Sequence, residues 1–214
     1  MIVNEFVTGI IVILIAYLLG SINSAYIITG LVTGKDVRTL GGGNAGARNV
    51  FRSVGFWAAV PVAAFDITKG VLSILIAHWL LEVPLYDVNV YVLLAGVAVI
   101  SGHMWSAYLK FTGGNGLGAA VGVLVMTIPW SLLIVLGVMG LLTLFTRNPV
   151  LSLNIGLLSL PVSSWLINDE WLLVLFSITI IILMILNFVP TAKAAVEEAG
   201  GFRVLVSGLV RKNN

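Results

Sequence analysis

Two glycine-rich stretches carry most of the chemically versatile residues of this chain. The first, GGGNAGARNVFR, runs from Gly41 to Arg52, and the second, GHMWSAYLKFTGGNGLGAAVG, runs from Gly102 to Gly122. Glycine lets a backbone come close to a ligand, and successive N–H groups can then converge on an anion. Arg48 and Arg52 add planar forks of donors that match phosphate oxygens. The two stretches therefore indicate a binding site for phosphate groups.

Other meanings of the glycine pattern are weaker. The letters GGGNAG fit G-x-G-x-x-G, but the dinucleotide-binding fingerprint needs a preceding strand and a βαβ unit. Here a long apolar segment precedes it, and neither stretch contains the Gly-Lys-Ser/Thr of a P-loop. Glycines that only form turns or pack helices are the remaining alternative. Two clusters, each beside an asparagine and a basic residue, favour ligand binding over packing alone.

Three titratable residues interrupt apolar segments near these stretches. Asp66 and Lys69 are three positions apart and share a helix face. Charges within a membrane span are costly and face each other or a cavity, so a self-neutralising pair and a border of the polar site both stay open. His103 lies between Gly102 and the second glycine cluster, which makes it a candidate catalytic group. The spacing of histidines and the absence of cysteine predict no metal site and no cofactor.

The elements that must position these residues are membrane helices. Hydrophobic residues form 59% of the 214 residues, charged residues 9%, and the mean hydropathy is +1.11, whereas a soluble domain carries about 25% charged residues. Long continuous apolar runs select helices, because a bilayer requires every backbone polar group to be paired internally. We predict an all-α integral membrane protein, a single domain over 1–214. The predicted spans of this seven-span helical bundle are about 7–33, 54–81, 88–102, 117–128, 129–146, 150–167 and 171–189.

The third and fourth predicted spans are shorter than the roughly 20 residues of a full crossing, so we expect them to be tilted or broken. With seven spans, ten of the eleven basic residues fall in loops on one side, and Lys69 is the eleventh. Both glycine stretches lie on that same side. The positive-inside rule then places the N-terminus on the outer side and the C-terminus on the cytoplasmic side of a plasma membrane. Residues 191–214 are predicted as a cytoplasmic tail or surface helix.

The order of these pieces resembles a known family. GSI (Gly20–Ile22), DVRTLGGGNAGARNVFRSVG (Asp36–Gly55), DITKG (Asp66–Gly70) and the second glycine stretch follow one another as in the bacterial membrane acyl-phosphate:glycerol-3-phosphate acyltransferases of the PlsY type. The resemblance covers the chain to about residue 160. It implies a cytoplasmic site that transfers a fatty acyl group from acyl phosphate to glycerol 3-phosphate and forms lysophosphatidic acid for phospholipid synthesis.

The resemblance also implies roles for particular residues. The residues that match the first motif, or that add a charge to it, are Asn44, Gly46, Arg48, Asn49 and Arg52. The second motif binds glycerol 3-phosphate in the family, and the residues in it are Gly113, Gly114, Asn115 and Gly116. Lys69 borders this predicted substrate site. Ser152 resembles a serine at the start of the sixth span and joins His103 as a candidate catalytic residue. The partners implied are the two substrates and the lipid bilayer, with no nucleic acid; the oligomeric state is not indicated.

Several positions depart from the family pattern and keep alternatives open. Gly42 stands where the family has a serine, and Thr112 and Asn115 stand where it has lysines. A third motif with arginine and histidine is replaced by NFVPTAKAAVEE (Asn187–Glu198). An acceptor-altered enzyme and a non-catalytic relative that binds lipid phosphate are therefore alternatives. A small-anion transporter is a further one, since such proteins use interrupted spans.

Overall fold

The fold is all helical over residues 2–147 and 149–198, which are the residues that the computed structural model describes. The α-helices of this part are α1 (Ile2–Ser21), α2 (Ser24–Thr33), α3 (Ala47–Ser53), α4 (Phe56–Leu81), α5 (Val90–Met104), α6 (Leu117–Thr127), α7 (Pro129–Thr146), α8 (Pro149–Leu157), α9 (Ser159–Asn168) and α10 (Trp171–Glu198). Two short 3-10 helices, Val37–Thr39 and Ala107–Leu109, lie in the loops that carry the glycine stretches. The predicted all-α membrane fold is confirmed.

The long helices account for most of the predicted spans. The described segments that are long and apolar enough to cross a membrane are Asn4–Thr33, Phe56–Leu81, Pro129–Thr146, Leu151–Asn168 and Trp171–Pro190. The predicted third and fourth spans correspond to the shorter apolar helices α5, with 15 residues, and α6, with 11 residues. Both fall short of a full crossing of about 20 residues. The count of seven therefore stays a prediction.

Two helix breaks follow directly from local sequence. Asn23 ends the run of α1 and begins α2, because its side-chain oxygen accepts a hydrogen bond from the Tyr26 N–H at 2.8 Å. Only Ile128 separates α6 from α7, and Pro129 occupies the first position of α7, where its missing N–H costs no helical hydrogen bond. The predicted boundary between the fourth and fifth apolar runs thus coincides with a helix start.

Glycines bring the central helices into close contact. A Cβ added at Gly102 of α5 would lie 2.2 Å from the Tyr17 carbonyl oxygen of α1, and one at Gly122 of α6 would lie 2.1 Å from the Ile67 carbonyl oxygen of α4. Membrane helices approach this closely only where side chains are small. These two contacts draw α5 and α6, which contain the two ends of the second glycine stretch, onto α1 and α4. The described core around them includes Ile74, Val99, Ile100, Val123, Leu124 and Phe176.

The last helix continues past the predicted end of the seventh span. The apolar run was expected to end at about residue 189, whereas α10 extends to Glu198 and so includes the start of the predicted tail. The helix passes through Pro190, so the chain does not turn at that residue. The remainder of the predicted tail, residues 199–214, lies outside the described residues.

Candidate active site

A cavity of about 260 Å³ combines a polar wall with an apolar wall. The polar side chains that line it are Asn44, Arg48, Asp66, His103, Asn115, Asn154 and Asn187. The apolar side chains are Leu117, Leu153, Leu157, Met184 and Phe188. Gly46 and Ala47 complete the lining. The polar wall comes mainly from the glycine stretches, and the apolar wall comes mainly from α8 and α10.

His103 and Asp66 form the most buried part of the polar wall, each with 3% of its surface exposed. The imidazole Nδ1 lies 3.4 Å from Asp66 Oδ1, close enough for an ion pair when the ring is protonated. The alignment is not that of a hydrogen bond, since Nδ1 has no hydrogen-bond partner within the described residues. The Nε2 atom lies against Gly114, 2.3 Å from the position that a Cβ would occupy there. The ring is therefore held between the Asp66 carboxylate and Gly114.

Lys69 lies behind this pair and does not line the cavity. Its Nζ is 3.0 Å from Asp66 Oδ1 and donates to the carbonyl oxygens of Gly20 and Ile22, each at 3.0 Å. Only 1% of Lys69 is exposed. Three acceptors match the three donors of an ammonium group, so the lysine closes the end of α1 and neutralises the buried carboxylate. The sequence left two interpretations of the pair open, a self-neutralising pair and a border of the polar site. In the structure Asp66 borders the cavity, and Lys69 is its buried counter-charge.

The two glycine stretches touch each other at the cavity. The Ala45 N–H donates to the Gly113 carbonyl at 3.3 Å, and the Asn44 amide donates to the Asn115 side-chain oxygen. Asn23, at the α1–α2 break, donates to the Ala45 carbonyl at 3.1 Å and so attaches the first stretch to the bundle. The structure thus brings together residues that lie 71 positions apart in the sequence.

Asn187 of α10 is a lining residue that the sequence analysis did not single out. Its side-chain N–H donates to the Gly114 carbonyl at 3.2 Å, while the Gly114 N–H donates to the His103 carbonyl at 3.0 Å. The second glycine stretch is therefore fixed from two sides. The lone amide in the largely apolar 171–189 segment was the available signal, because intramembrane polar groups usually face a partner or a cavity.

Asn49 braces the first glycine turn and does not face the cavity. Its buried amide donates to the Val37 carbonyl at 3.1 Å and to the Leu40 carbonyl at 2.9 Å, and its side-chain oxygen accepts from the Gly42 N–H at 3.1 Å. All the polar atoms of the side chain are thus used within one loop. The asparagine at this position is therefore explained by the hydrogen bonds with which it holds the shape of the loop.

The arginines of α3 differ in position. Arg48, in the first turn, is exposed and lines the cavity, whereas Arg52, in the last turn, is exposed and does not line it. Both belong to a seven-residue helix that begins after Gly46. Arg48 is the lysine or arginine among the described residues that line the cavity. The charge of Lys69 does not reach the cavity, because it is buried behind Asp66.

Ser152 and Gly116 also lie near the cavity without lining it. Ser152 is fully buried in α8, with its Oγ 2.9 Å from Thr146 Oγ1, and the next two residues along the chain do line the cavity. Gly116 precedes α6 with a φ of +78°, a conformation that favours glycine. A Cβ there would also lie 2.2 Å from the Met104 side chain. Gly116 thus permits the sharp entry into α6.

Arg38 links the first loop to the second at some distance from the cavity. Its Nη2 lies 2.6 Å from Asp36 Oδ2, and its Nη1 donates to the Leu109 carbonyl at 3.3 Å and to Thr112 Oγ1 at 3.0 Å. The guanidinium also lies over the Tyr26 ring, 5.6 Å from its centre. The hydrogen bond from Arg38 lowers the pKa of the Asp36 carboxyl. The pKa of Arg38 is raised by the same hydrogen bond.

A second depression lies on the outer surface among Trp130, Leu133, Ile134 and Ile167. Its volume, about 560 Å³, exceeds that of the cavity, but it is wide open and its lining is apolar. Such a surface suits lipid tails and has no side chain that could orient a phosphate group. The smaller cavity is therefore the candidate active site.

Known proteins share both the sequence and the fold. The family model described as glycerol-3-phosphate acyltransferase matches residues 10–197. Glycerol-3-phosphate acyltransferase 2 of Dehalococcoides mccartyi is 36% identical over 92% of this chain and 91% of that protein. A glycerol-3-phosphate acyltransferase of Thermoanaerobacter sp. is 45% identical over 58% of this chain and 60% of that protein.

The crystal structure of PlsY (YgiH), an integral membrane glycerol 3-phosphate acyltransferase in its glycerol 3-phosphate form, superposes with a TM-score of 0.75. That match covers 86% of this chain and 90% of the other, at 28% identity. The lysophosphatidic acid form superposes with a TM-score of 0.73 at 26% identity, with the same coverage. The likeness therefore extends over most of both chains.

The helical fold and the two-walled cavity define an integral membrane enzyme that handles a polar headgroup and an apolar chain together. The chain belongs to the glycerol-3-phosphate acyltransferase family. It is an acyltransferase of membrane phospholipid synthesis, and the resemblance drawn from the sequence is confirmed. This membership does not favour the alternatives of a transporter or a non-catalytic relative.

Proposed function

We propose that the cavity transfers a fatty acyl group from acyl phosphate to the 1-hydroxyl of glycerol 3-phosphate. The hydroxyl oxygen attacks the acyl carbonyl carbon, and the bond between that carbon and the phosphate oxygen breaks. Lysophosphatidic acid and inorganic phosphate are the products, and the hydroxyl proton is taken up by the phosphate. Since an acyl phosphate is already activated, the protein needs mainly to hold two phosphates and orient one hydroxyl.

The phosphate groups are held by the polar wall in this proposal. Arg48 supplies the charged fork, and the amides of Asn44, Asn115 and Asn187 supply neutral donors on three different segments. The first N–H groups of α6 have no acceptor within the helix and carry the positive end of its dipole. Leu117, the first residue of α6, lines the cavity, so these N–H groups start at its edge.

His103 orients the reacting hydroxyl through Nε2, because its Nδ1 side is occupied by Asp66. Lys69 acts as the structural counter-charge of Asp66, in place of the substrate-binding role expected from the sequence. Ser152, buried against Thr146, positions the start of α8, in place of the catalytic role that the resemblance implied. His103→Asn distinguishes two roles of the ring, orientation of the hydroxyl and removal of its proton. If the ring also removed the proton, this substitution would change the pH profile of the reaction as well as its rate.

The acyl chain lies along the apolar wall. Leu153 and Leu157 are four positions apart on α8, and Met184 and Phe188 are four positions apart on α10, so each pair lies on one helix face. Both helices belong to segments apolar enough to span the membrane. Relative to water, a chain of CH₂ groups against these side chains gains roughly 0.8 kcal/mol for each buried group, so the apolar wall replaces the bilayer as the surroundings of the acyl chain.

The observation that carries this proposal is the meeting of the two walls in one cavity beside His103 and Asp66. The test uses the full chain reconstituted in vesicles, supplied with acyl phosphate or an acyl thioester as donor. Glycerol 3-phosphate, dihydroxyacetone phosphate and glycerol are compared as acceptors. We expect phosphate release that requires acyl phosphate and glycerol 3-phosphate together. Turnover with the acyl thioester but not with acyl phosphate would overturn the assignment of the donor. Phosphate release that does not depend on the acceptor would overturn the assignment of the acceptor.

We also propose that both glycine stretches face the cytoplasm. The support is the one-sided distribution of basic residues in the predicted loops. The chain contains no cysteine, so single cysteines can be introduced without background. Cysteines replacing Lys35 and Asp169 are both on exposed loop positions and should label from opposite faces of oriented vesicles. Labelling from the same face would contradict the proposed orientation.

A further inference from the structure

The turn before the second glycine cluster has an unfavourable backbone. Lys110 and Phe111 have φ angles of 56° and 57°, in the left-handed region that residues with a Cβ rarely adopt. Two such residues in succession persist only where the surrounding structure holds them. Thr112 and Gly113 follow immediately, so any relaxation of this turn moves the start of the cluster.

Arg38 makes contacts on both sides of this turn. Its Nη1 donates to the Leu109 carbonyl, just before the turn, at 3.3 Å and to Thr112 Oγ1, just after it, at 3.0 Å. Thr112 Oγ1 in turn donates to the Leu109 carbonyl at 2.6 Å. The same guanidinium is fixed by Asp36, through Nε at 3.0 Å to each carboxylate oxygen and through Nη2 at 2.6 Å. One side chain therefore ties the first loop to both ends of the strained turn.

The position of the turn decides the shape of the polar wall. Gly113 and Gly114 are in backbone contact with Ala45 and His103, and Asn115 bonds with Asn44. Arg38 itself does not line the cavity, and each of its three nitrogens already donates to a protein acceptor. Because Arg38 lies outside the cavity lining, direct contact with substrate phosphate is not the role that we assign to it.

We infer that Arg38 is a positioning residue for acyl transfer, which holds the strained 109–112 turn so that Gly113–Asn115 stay in register with the first glycine stretch. This inference rests on the proposed function for its activity measurement. The guanidinium fork is required because one side chain must satisfy a carboxylate and two oxygens of another loop at once. A lysine offers a point charge and keeps the carboxylate contact alone.

The test compares Arg38→Ala, Arg38→Lys and the control Lys35→Ala in the full chain reconstituted in vesicles. Lys35→Ala removes the same charge from an exposed position three residues away. We expect Arg38→Ala to lower kcat by roughly tenfold to a hundredfold, since a misplacement of about 1 Å can cost that much. The KM for glycerol 3-phosphate should change less than kcat. Arg38→Lys should recover part of the loss, and the control should match the parent.

Hydrogen exchange supplies a measurement that does not depend on activity. Arg38→Ala should raise exchange in residues 106–116 and leave α7 unchanged, whatever reaction the parent proves to catalyse. Thr112→Val keeps the side-chain shape but removes the hydroxyl that accepts from Arg38 and donates to the Leu109 carbonyl, and it should cause a smaller change in the same residues, since the Arg38–Asp36 and Arg38–Leu109 contacts remain. Adding it to Arg38→Ala should raise exchange by less than the sum of the two single changes, because the Arg38–Thr112 contact is shared while the Thr112–Leu109 hydrogen bond is not. Parent-like exchange and parent-like kcat in Arg38→Ala, or in Thr112→Val if Arg38→Ala does not fold, would overturn the inference.

Discussion

Replacing Gly114 by alanine tests how tightly the glycine stretch packs against the histidine. The new Cβ would lie 2.3 Å from His103 Nε2 and 2.9 Å from the Ala45 carbonyl oxygen. Ordinary contact begins at about 3.4 Å, so the ring or the loop must move by about 1 Å. The carbonyl on the other side is backbone, so the loop has little freedom to move away.

The consequence of Gly114→Ala should be larger for turnover than for stability. Overpacking of a buried site costs about 1–3 kcal/mol, which a domain can tolerate. A displacement of about 1 Å in His103, which is proposed to orient the reacting hydroxyl, can lower the rate about a hundredfold. We therefore expect a folded protein with a large loss of kcat, measured by phosphate release from acyl phosphate in vesicles.

Gly42→Ala is the matched control. It adds the same methyl group within the other glycine stretch, where nothing lies within 4 Å of the new Cβ. We expect activity close to that of the parent. If Gly114→Ala retains parental kcat, KM and melting temperature, His103 does not pack on Gly114 as described, and the assigned role of the ring is wrong.

Three further changes probe the charged groups. Asp66→Ala or Lys69→Ala alone should cost about 3–5 kcal/mol by stranding a buried charge, and the double change should cost less than the sum; additive losses in denaturation would contradict the pairing. Arg48→Ala should raise the KM for phosphate substrates more than Arg52→Ala, since only Arg48 lines the cavity; the reverse order would place the phosphate along the other end of α3. The pKa of Asp36 is lowered, so its stabilising effect is present above the ordinary aspartate pKa and lost only as pH falls through the lowered value. The protection of residues 106–116, taken relative to the intrinsic amide exchange rate at each pH, should therefore be unchanged between about pH 8 and about pH 5, and a loss of protection by about pH 5 would refute this.

Much of the fold follows from the sequence because the bilayer restricts what a backbone can do. A backbone in hydrocarbon must pair its polar groups internally, so the positions of the long helices could be predicted from the continuous apolar runs in the sequence. Asn23 and Pro129 mark helix starts through their own chemistry, which is local. The kind of ligand could also be predicted from the sequence, because glycines and arginines at this spacing suit phosphate groups.

The composition of the site depended on contacts between distant segments. Arg48 and Arg52 share one short helix and the same residue type, yet only one lines the cavity. Lys69 and Asp66 share a helix face, but the carbonyls that accept from the lysine belong to the end of α1 and to the break that follows it. Asn187 lies 73 positions from the glycine whose carbonyl it binds.

Helix formation is decided by neighbours within a few residues and by the solvent, and both are written in the local sequence. Which side of a helix meets a cavity depends on where other helices pack, and here that packing is set by glycines such as Gly102 and Gly122 against partners far along the chain. The sequence by itself therefore determined the membrane helices and the glycine-rich, basic character of the loops. Only the tertiary structure decided which asparagines and which arginine reach the same cavity.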